Sequence, residues 1–144
     1  MRWGRLGLAL AGMLLVLSAL LFVSAAVAQE KDRAPAPDFT TVTTKAAANR
    51  LVREGKLVKT HFFPTELGGS AKDRNNISYI TPEAAEARAL LIGALESDVE
   101  EGTIDKMVIE PDYKGKSIIP TRIRFKAWHS QRAGGEFEGV VEVW

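Results

Sequence analysis

The fold is decided by residues 81–102, which read TPEAAEARALLIGALESDVEEG. Thr81 and Pro82 are typical of a helix start, because a threonine hydroxyl caps the first turn and proline at the first position loses no hydrogen bond. Small and aliphatic residues recur at helical spacing, and Gly102 favours a stop. The residues predicted to face inward are Ala87, Leu90, Leu91, Ala94 and Leu95. The stretch therefore predicts one long amphipathic helix over 82–101.

Downstream of this helix the apolar residues recur at every second position, which is the pattern of β-strands. Three apolar residues alternate with three cations in residues 122–128, and apolar residues alternate with glutamates in residues 136–144. The seven residues between these stretches predict a hairpin loop. We therefore expect an α+β fold, in which an antiparallel sheet carries the long helix on its apolar face.

Upstream of the long helix the sequence predicts a short helix and one more strand. Thr44 is placed to cap a helix over 44–54, and Gly55 follows where a left-handed helix end is common. Residues 56–63 alternate loosely and predict a strand. Residues 68–76 are rich in glycine and asparagine and predict a loop.

The first 28 residues have the pattern of an export signal. Two arginines precede an uncharged apolar run over 6–27, and Ala-Val-Ala at 26–28 matches a cleavage site. A run of this length also suits an uncleaved membrane anchor. We expect a signal peptide at 1–28, a linker at 29–42 and a single α+β domain at 43–144, in a secreted or periplasmic protein.

Composition narrows the classes of function. Removing residues 1–28 leaves 17 basic and 18 acidic residues, a net charge of about −1, which argues against a generally basic nucleic-acid binder. The chain has no cysteine, and this excludes thiolate catalysis and cysteine metal sites. The sequence has no Gly-rich phosphate-binding loop, so an ATP-dependent activity is not expected.

Histidines are the first candidates for chemistry. His61 ends the predicted strand beside the glycine-rich loop, where a side chain can act as a general base or a metal ligand. A single histidine at such a place is also often structural. His129 begins the last hairpin loop, and simple exposure accounts for it.

A row of cations, Arg122, Arg124 and Lys126, has two interpretations. Aligned cations can bind the phosphates of a nucleic acid, so Arg122 and Arg124 are candidate anion-binding residues. In a hairpin, however, Arg122 lies near Glu142 and Lys126 near Glu138. Cross-strand pairs of this kind contribute roughly 0.2–1 kcal/mol each. The sequence leaves both interpretations open.

Residues 61–144, together with Thr60, carry a series of short motifs. In chain order they are THFFP (60–64), LGG (67–69), DRNN (73–76), ITP (80–82), VIEPDY (108–113) and GKSIIP (115–120). The series resembles the bacterial toxin branch of the DNA/RNA non-specific endonuclease family. The resemblance covers about 84 residues. It implies a ββα-metal-like fold.

The resemblance also implies a site. In that family a histidine acts as the general base for water, and an asparagine on the helix holds one Mg²⁺ against the scissile phosphate. His61 matches the base position, and Glu96 fits an acidic position. The asparagine position falls on Arg88, or near Ala85 with another alignment. Thr60 stands where glycine is usual, and no Asp-Arg pair precedes it.

These departures leave two outcomes at the metal position. In both, we expect His61 to face the 75–76 loop and the helix start across a shallow cleft. In the first outcome, at least one of Asn75, Asn76 and Glu96 supplies the missing ligand. Alternatively, Arg88 occupies the place of the ion, where its fixed charge repels Mg²⁺ and attracts an anion.

Two classes of function follow from these expectations. The first is an exported, weak or degenerate phosphodiesterase that uses His61 and Mg²⁺ to cut nucleic acid. The second is a non-catalytic secreted binding module that keeps the fold and binds a protein partner or another ligand. A membrane is an expected partner only if the signal stays uncleaved.

Overall fold

The computed structural model of the protein describes residues 36–144. The predicted signal peptide and the linker residues before position 36 lie outside the described residues. The predicted linker is too long at its C-terminal end, because Phe39 and Val42 are buried in the core. Phe39 packs edge-to-face on Trp144 with ring centroids 5.9 Å apart. The compact unit accordingly begins at Pro37.

The described residues form an α+β fold with two helices and two antiparallel sheets, which confirms the predicted class. The elements in chain order are α1 (Lys45–Arg53), β1 (Val58–His61), a 3₁₀ turn (Arg74–Asn76), β2 (Ile77–Ile80), α2 (Pro82–Glu100), β3 (Lys106–Tyr113), β4 (Pro120–Trp128) and β5 (Phe137–Glu142). β1 pairs with β2, and β4 lies between β3 and β5 in the second sheet. The expectation of one long helix on one sheet is therefore corrected.

Both helices begin and end as their sequences predict. The hydroxyl of Thr44 accepts a hydrogen bond from the Ala47 amide, and that of Thr81 accepts one from the Ala84 amide. Thr81 also donates to the carbonyl of Val143, and this bond ties the start of α2 to the chain after β5. In the described part of the chain, no helix is both long and apolar enough to cross a membrane.

The core lies under the inner face of the three-stranded sheet. Ile123, Phe125 and Ala127 alternate inward from β4 and are almost fully buried, as their spacing predicts. From α2 the buried residues include Ile92 and Leu95. The predicted inner stripe of α2 is wrong at Ala87, Leu90 and Ala94, which are exposed, and Leu90 is 80 % exposed. Because the helix is rich in small apolar residues all round, its sequence does not fix which face turns inward.

Candidate functional site

The candidate site belongs to β1, β2 and α2, which follow one another in the chain. β1 and β2 pair antiparallel, with His61 opposite Ile77, and α2 begins two residues after β2. The connection between the strands folds back on itself, because the amide of Gly69 donates to the carbonyl of Pro64 at 2.8 Å. A side chain at position 69 would collide with the backbone of Phe63. Gly69 of the LGG motif therefore allows the loop backbone to approach the backbone of Phe63 closely.

His61 lies at the end of β1 with a partly exposed side chain. Directly opposed residues of antiparallel strands project from the same face, so His61 shares a face with Ile77. The next residue, Phe62, donates its amide to the carbonyl of Asn76. Hydrogen-bonded pairs alternate along such a ladder, so the backbone groups of His61 point away from β2.

Arg88 reaches from the second turn of α2 to this outward-facing backbone. Its guanidinium Nη2 donates to the carbonyl of His61 at 2.8 Å. Burial lowers the pKa of Arg88, and the negative charge of Glu66 opposes that shift. The Arg88 Nε is buried without a partner among the described residues. Arg88 therefore satisfies one carbonyl at the open edge of β1, and its buried Nε donor stays unpaired in the described part of the chain.

Glu66 is the acidic residue that interacts electrostatically with Arg88 and His61. Its pKa is lowered mainly by a hydrogen bond from its own backbone N–H, with smaller contributions from Thr65, Arg88 and His61. Its carboxylate forms no ion pair with Arg88 within 4 Å in the described chain. The positive charge of Arg88 is therefore only weakly compensated.

The side chain of Asn76 is fully engaged inside the protein. Its Oδ1 accepts from the Phe63 amide at 2.7 Å, and its Nδ2 donates to the carbonyls of Phe63 and Ser70. Since the carbonyl oxygen is the atom that would bind a metal, Asn76 holds the loop rather than offering a ligand. Asn75, the neighbouring candidate, is exposed and lines two clefts.

Glu96 lies on α2 eight residues after Arg88, which is about 12 Å along a helix axis. Within residues 36–144, no three histidine or carboxylate side chains converge as a metal site would require. Mg²⁺ favours carboxylate oxygens, and the side chain that contacts the backbone of His61 is the cation Arg88 instead. The residues present do not fit the metal that the resemblance implies.

Arg122 and Arg124 are paired with carboxylates of β3. Arg122 Nε lies 2.8 Å from Asp112 Oδ2, and Arg124 Nη2 lies 3.0 Å from Asp112 Oδ1. The predicted hairpin register is correct, because Arg122 faces Glu142 on β5. The sequence nevertheless missed β3 as the source of the counter-charges. With Asp112 in place, these two arginines are poor candidates for phosphate binding.

Two clefts flank the loop before β2. The smaller one, about 380 Å³, lies between the glycine-rich loop and residues 73–76, and its lining includes Asn75 and Asn76. His61 and Arg88 are not among its lining residues, so this cleft does not join His61 to the two asparagines.

The larger cleft, about 520 Å³, separates α1, the β1–β2 pair and the β3–β4 connection. We call it the aromatic groove, and its lining includes Lys45, Phe62, Arg74, Ile77, Tyr113 and Ile118. Sequence analysis missed this groove, because its residues come from four separate segments. The exposed aromatic Tyr113, one residue past Asp112, was the one local signal.

Comparisons with protein-family models, with curated proteins and with solved structures found no match to this chain.

Proposed function

We propose that this protein is an exported, non-catalytic binding module built on a ββα-metal-like scaffold. The observation that carries the proposal is the contact of Arg88 with the carbonyl of His61. In the endonuclease-like motif series, one of the two alignments puts Arg88 at the position of the metal-binding asparagine. The consecutive β1, β2 and α2 support the scaffold, and the N-terminal signal pattern supports export to the periplasm or the exterior.

Electrostatics supports a binding role over catalysis. A guanidinium stays charged at any physiological pH, so Arg88 is a permanent cation. At ~5 Å and an effective dielectric constant of ~20, it would repel a divalent cation by roughly 7 kcal/mol. Because Asn76 is engaged by Phe63 and Ser70, its side-chain oxygen is not free to compensate as a metal ligand. The same positive charge favours an anionic group.

A nuclease assay tests the proposal directly. Purified protein, with its signal removed, is incubated with plasmid DNA and with RNA, in Mg²⁺ and in EDTA. We expect both substrates to stay intact in either condition. Mg²⁺-dependent cleavage that His61→Ala abolishes and His129→Ala preserves would overturn the non-catalytic role.

A weak phosphodiesterase is the second candidate function. It is favoured by the position of His61, whose side chain is partly exposed at a strand end. An imidazole there remains available for proton transfer. The His61→Ala and His129→Ala pair of the same assay separates this candidate from contaminating nuclease, because contamination would survive both substitutions.

Arg88→Asn tests the electrostatic argument. The substitution removes the cation and supplies an amide oxygen, so we expect Mg²⁺ affinity measured by calorimetry to rise at least about tenfold over the wild type. Arg53→Asn, at the exposed end of α1, is the matched control and leaves Mg²⁺ binding unchanged. Equal Mg²⁺ binding by Arg88→Asn and the wild type, with an intact fold by circular dichroism, would show that the charge of Arg88 does not exclude Mg²⁺.

A further inference from the structure

The aromatic groove combines an apolar floor with a positively charged rim. Phe62 and Ile77 line it from the β1–β2 pair, and Ile118 lines it from the β3–β4 connection. Tyr113 is 46 % exposed although it belongs to a strand. A concave site of about 520 Å³ lies within the range of ligand-binding clefts.

The rim carries two cationic residues, Lys45 and Arg74. The Nζ of Lys45 donates to the backbone carbonyl of Arg74 at 3.4 Å, which holds the Lys45 side chain at the Arg74 end of the groove. Neither cation forms an ion pair within residues 36–144. No lining residue of the groove in this described part carries a carboxylate. The groove is therefore complementary to a ligand with negative charge beside an apolar group.

Tyr113 adds a polar handle to the apolar floor. Burial raises the pKa of its phenol, so the hydroxyl stays protonated at neutral pH and can donate a hydrogen bond. A ring with one apolar face and one donor suits an apolar side chain next to a carboxylate.

From the groove we infer that the protein binds an acidic peptide segment of a protein partner, with one apolar side chain on the floor and carboxylates at Lys45 and Arg74. This inference rests on the proposed binding role. Nucleic acid fits less well, because its affinity depends on many aligned cations, and the domain outside the signal has a net charge of about −1. One apolar side chain and two or three carboxylates match two cations and a small apolar floor.

The test uses full-length protein and a fluorescein-labelled peptide, Glu-Glu-Phe-Glu-Glu, followed by fluorescence anisotropy. We expect saturable binding that weakens when the glutamates become glutamines or the phenylalanine becomes alanine. A (dT)5 oligonucleotide of comparable charge is expected to bind more weakly. Tighter binding of the oligonucleotide would overturn the peptide assignment, and so would an absence of peptide binding up to millimolar concentration.

Variants locate the binding. Lys45→Gln combined with Arg74→Gln should weaken peptide binding about tenfold, because two charge-assisted contacts are lost. Lys106→Gln combined with Lys126→Gln makes the same charge change on β3 and β4 and should alter affinity less than about twofold. Tyr113→Ala should weaken binding about fivefold through lost apolar contact. Equal loss in the two double variants would place the peptide elsewhere.

The nuclease assay distinguishes this inference from the proposed function. If the protein cleaves nucleic acid and the groove variants still lose the peptide, the non-catalytic role fails and the groove assignment stands. If the protein cleaves nothing and the groove variants bind the peptide like the wild type, the groove assignment fails alone.

Discussion

The two sheets of the domain are stabilised in different ways. The three-stranded sheet buries the inner row of β4, in which Phe125 is completely inaccessible to solvent, and it pairs charges on its outer face. The two-stranded β1–β2 pair has an exposed first half of β1. A two-stranded hairpin is marginally stable in isolation. It is therefore stabilised by the burial of Tyr79 and Ile80 of β2 in the core, and in addition by Arg88 at its edge and Asn76 in its loop.

This difference separates structural roles from candidate functional ones. The large sheet pairs Arg122 and Arg124 with Asp112 and buries its apolar face, so it supplies rigidity. The small hairpin and its loop contain the half-exposed His61, the unpartnered Nε of Arg88 and the residues around two clefts. Residues that bind ligands are commonly located on loops positioned by a rigid scaffold. The comparison predicts large, global effects from the first region and local effects from the second.

Phe125→Ala should give the largest effect. It removes a ring that is fully buried under the three-stranded sheet, and buried Phe→Ala changes cost about 3–5 kcal/mol because a cavity remains. The free energy of unfolding, measured by urea titration, should fall by that amount.

Val140→Ala, on the exposed outer face of β5, is the matched control and should change stability by less than about 0.5 kcal/mol. A Phe125→Ala loss as small as that of the control would mean that the large sheet is not the stabilising region.

Asn76→Ala should give the next largest effect. It removes three hydrogen bonds to the backbone of Phe63 and Ser70 and leaves partly buried groups unpaired, so we expect a loss of about 2 kcal/mol. Hydrogen exchange should speed up at the Phe63 amide and remain slow in β4. Asn75→Ala, at the exposed neighbouring position, should leave both observables close to the wild type.

If Asn76→Ala instead opens β4 as readily as the loop, the two sheets unfold together. The distinction between a rigid scaffold and a locally held hairpin would then be lost.

Much of the fold was predictable because its signals are local. Thr81 followed by Pro82 defines a helix start within a few residues, and so does Thr44. The alternating residues of β4 and β5, joined by a short loop, determine both the inner face and the register. These features depend on backbone geometry close in sequence, which the residue types report directly.

The sequence could not supply the long-range choices. Leu90 and Leu91 are equally apolar, and only packing decides that Leu90 faces solvent. Phe39 reads as part of a linker until its contact with Trp144, more than 100 residues away, is known. Among site residues, His61 was placed correctly at a strand end. The engagement of Asn76 required knowledge of how its loop folds back.

The smallest predicted effect concerns the outer face of the large sheet and sharpens the account of its charges. Arg122 faces Glu142 in the register, but its guanidinium lies 2.8 Å from Asp112 on the other side. Asp112 also forms an ion pair with Arg124, and in both pairs the Asp112 side chain is less exposed than that of the arginine. Asp112→Asn should therefore lower stability by roughly 0.5–1 kcal/mol at low salt, the upper range of exposed ion pairs, and by less in 1 M NaCl.

Glu142→Gln should change the melting temperature very little in either salt, since among the described residues its carboxylate forms no ion pair. Thermal melts of both variants at two salt concentrations measure the difference. A larger loss of stability for Glu142→Gln than for Asp112→Asn would show that Arg122 pairs across the hairpin in solution. Arg124 would then be the remaining ion-pair partner of Asp112.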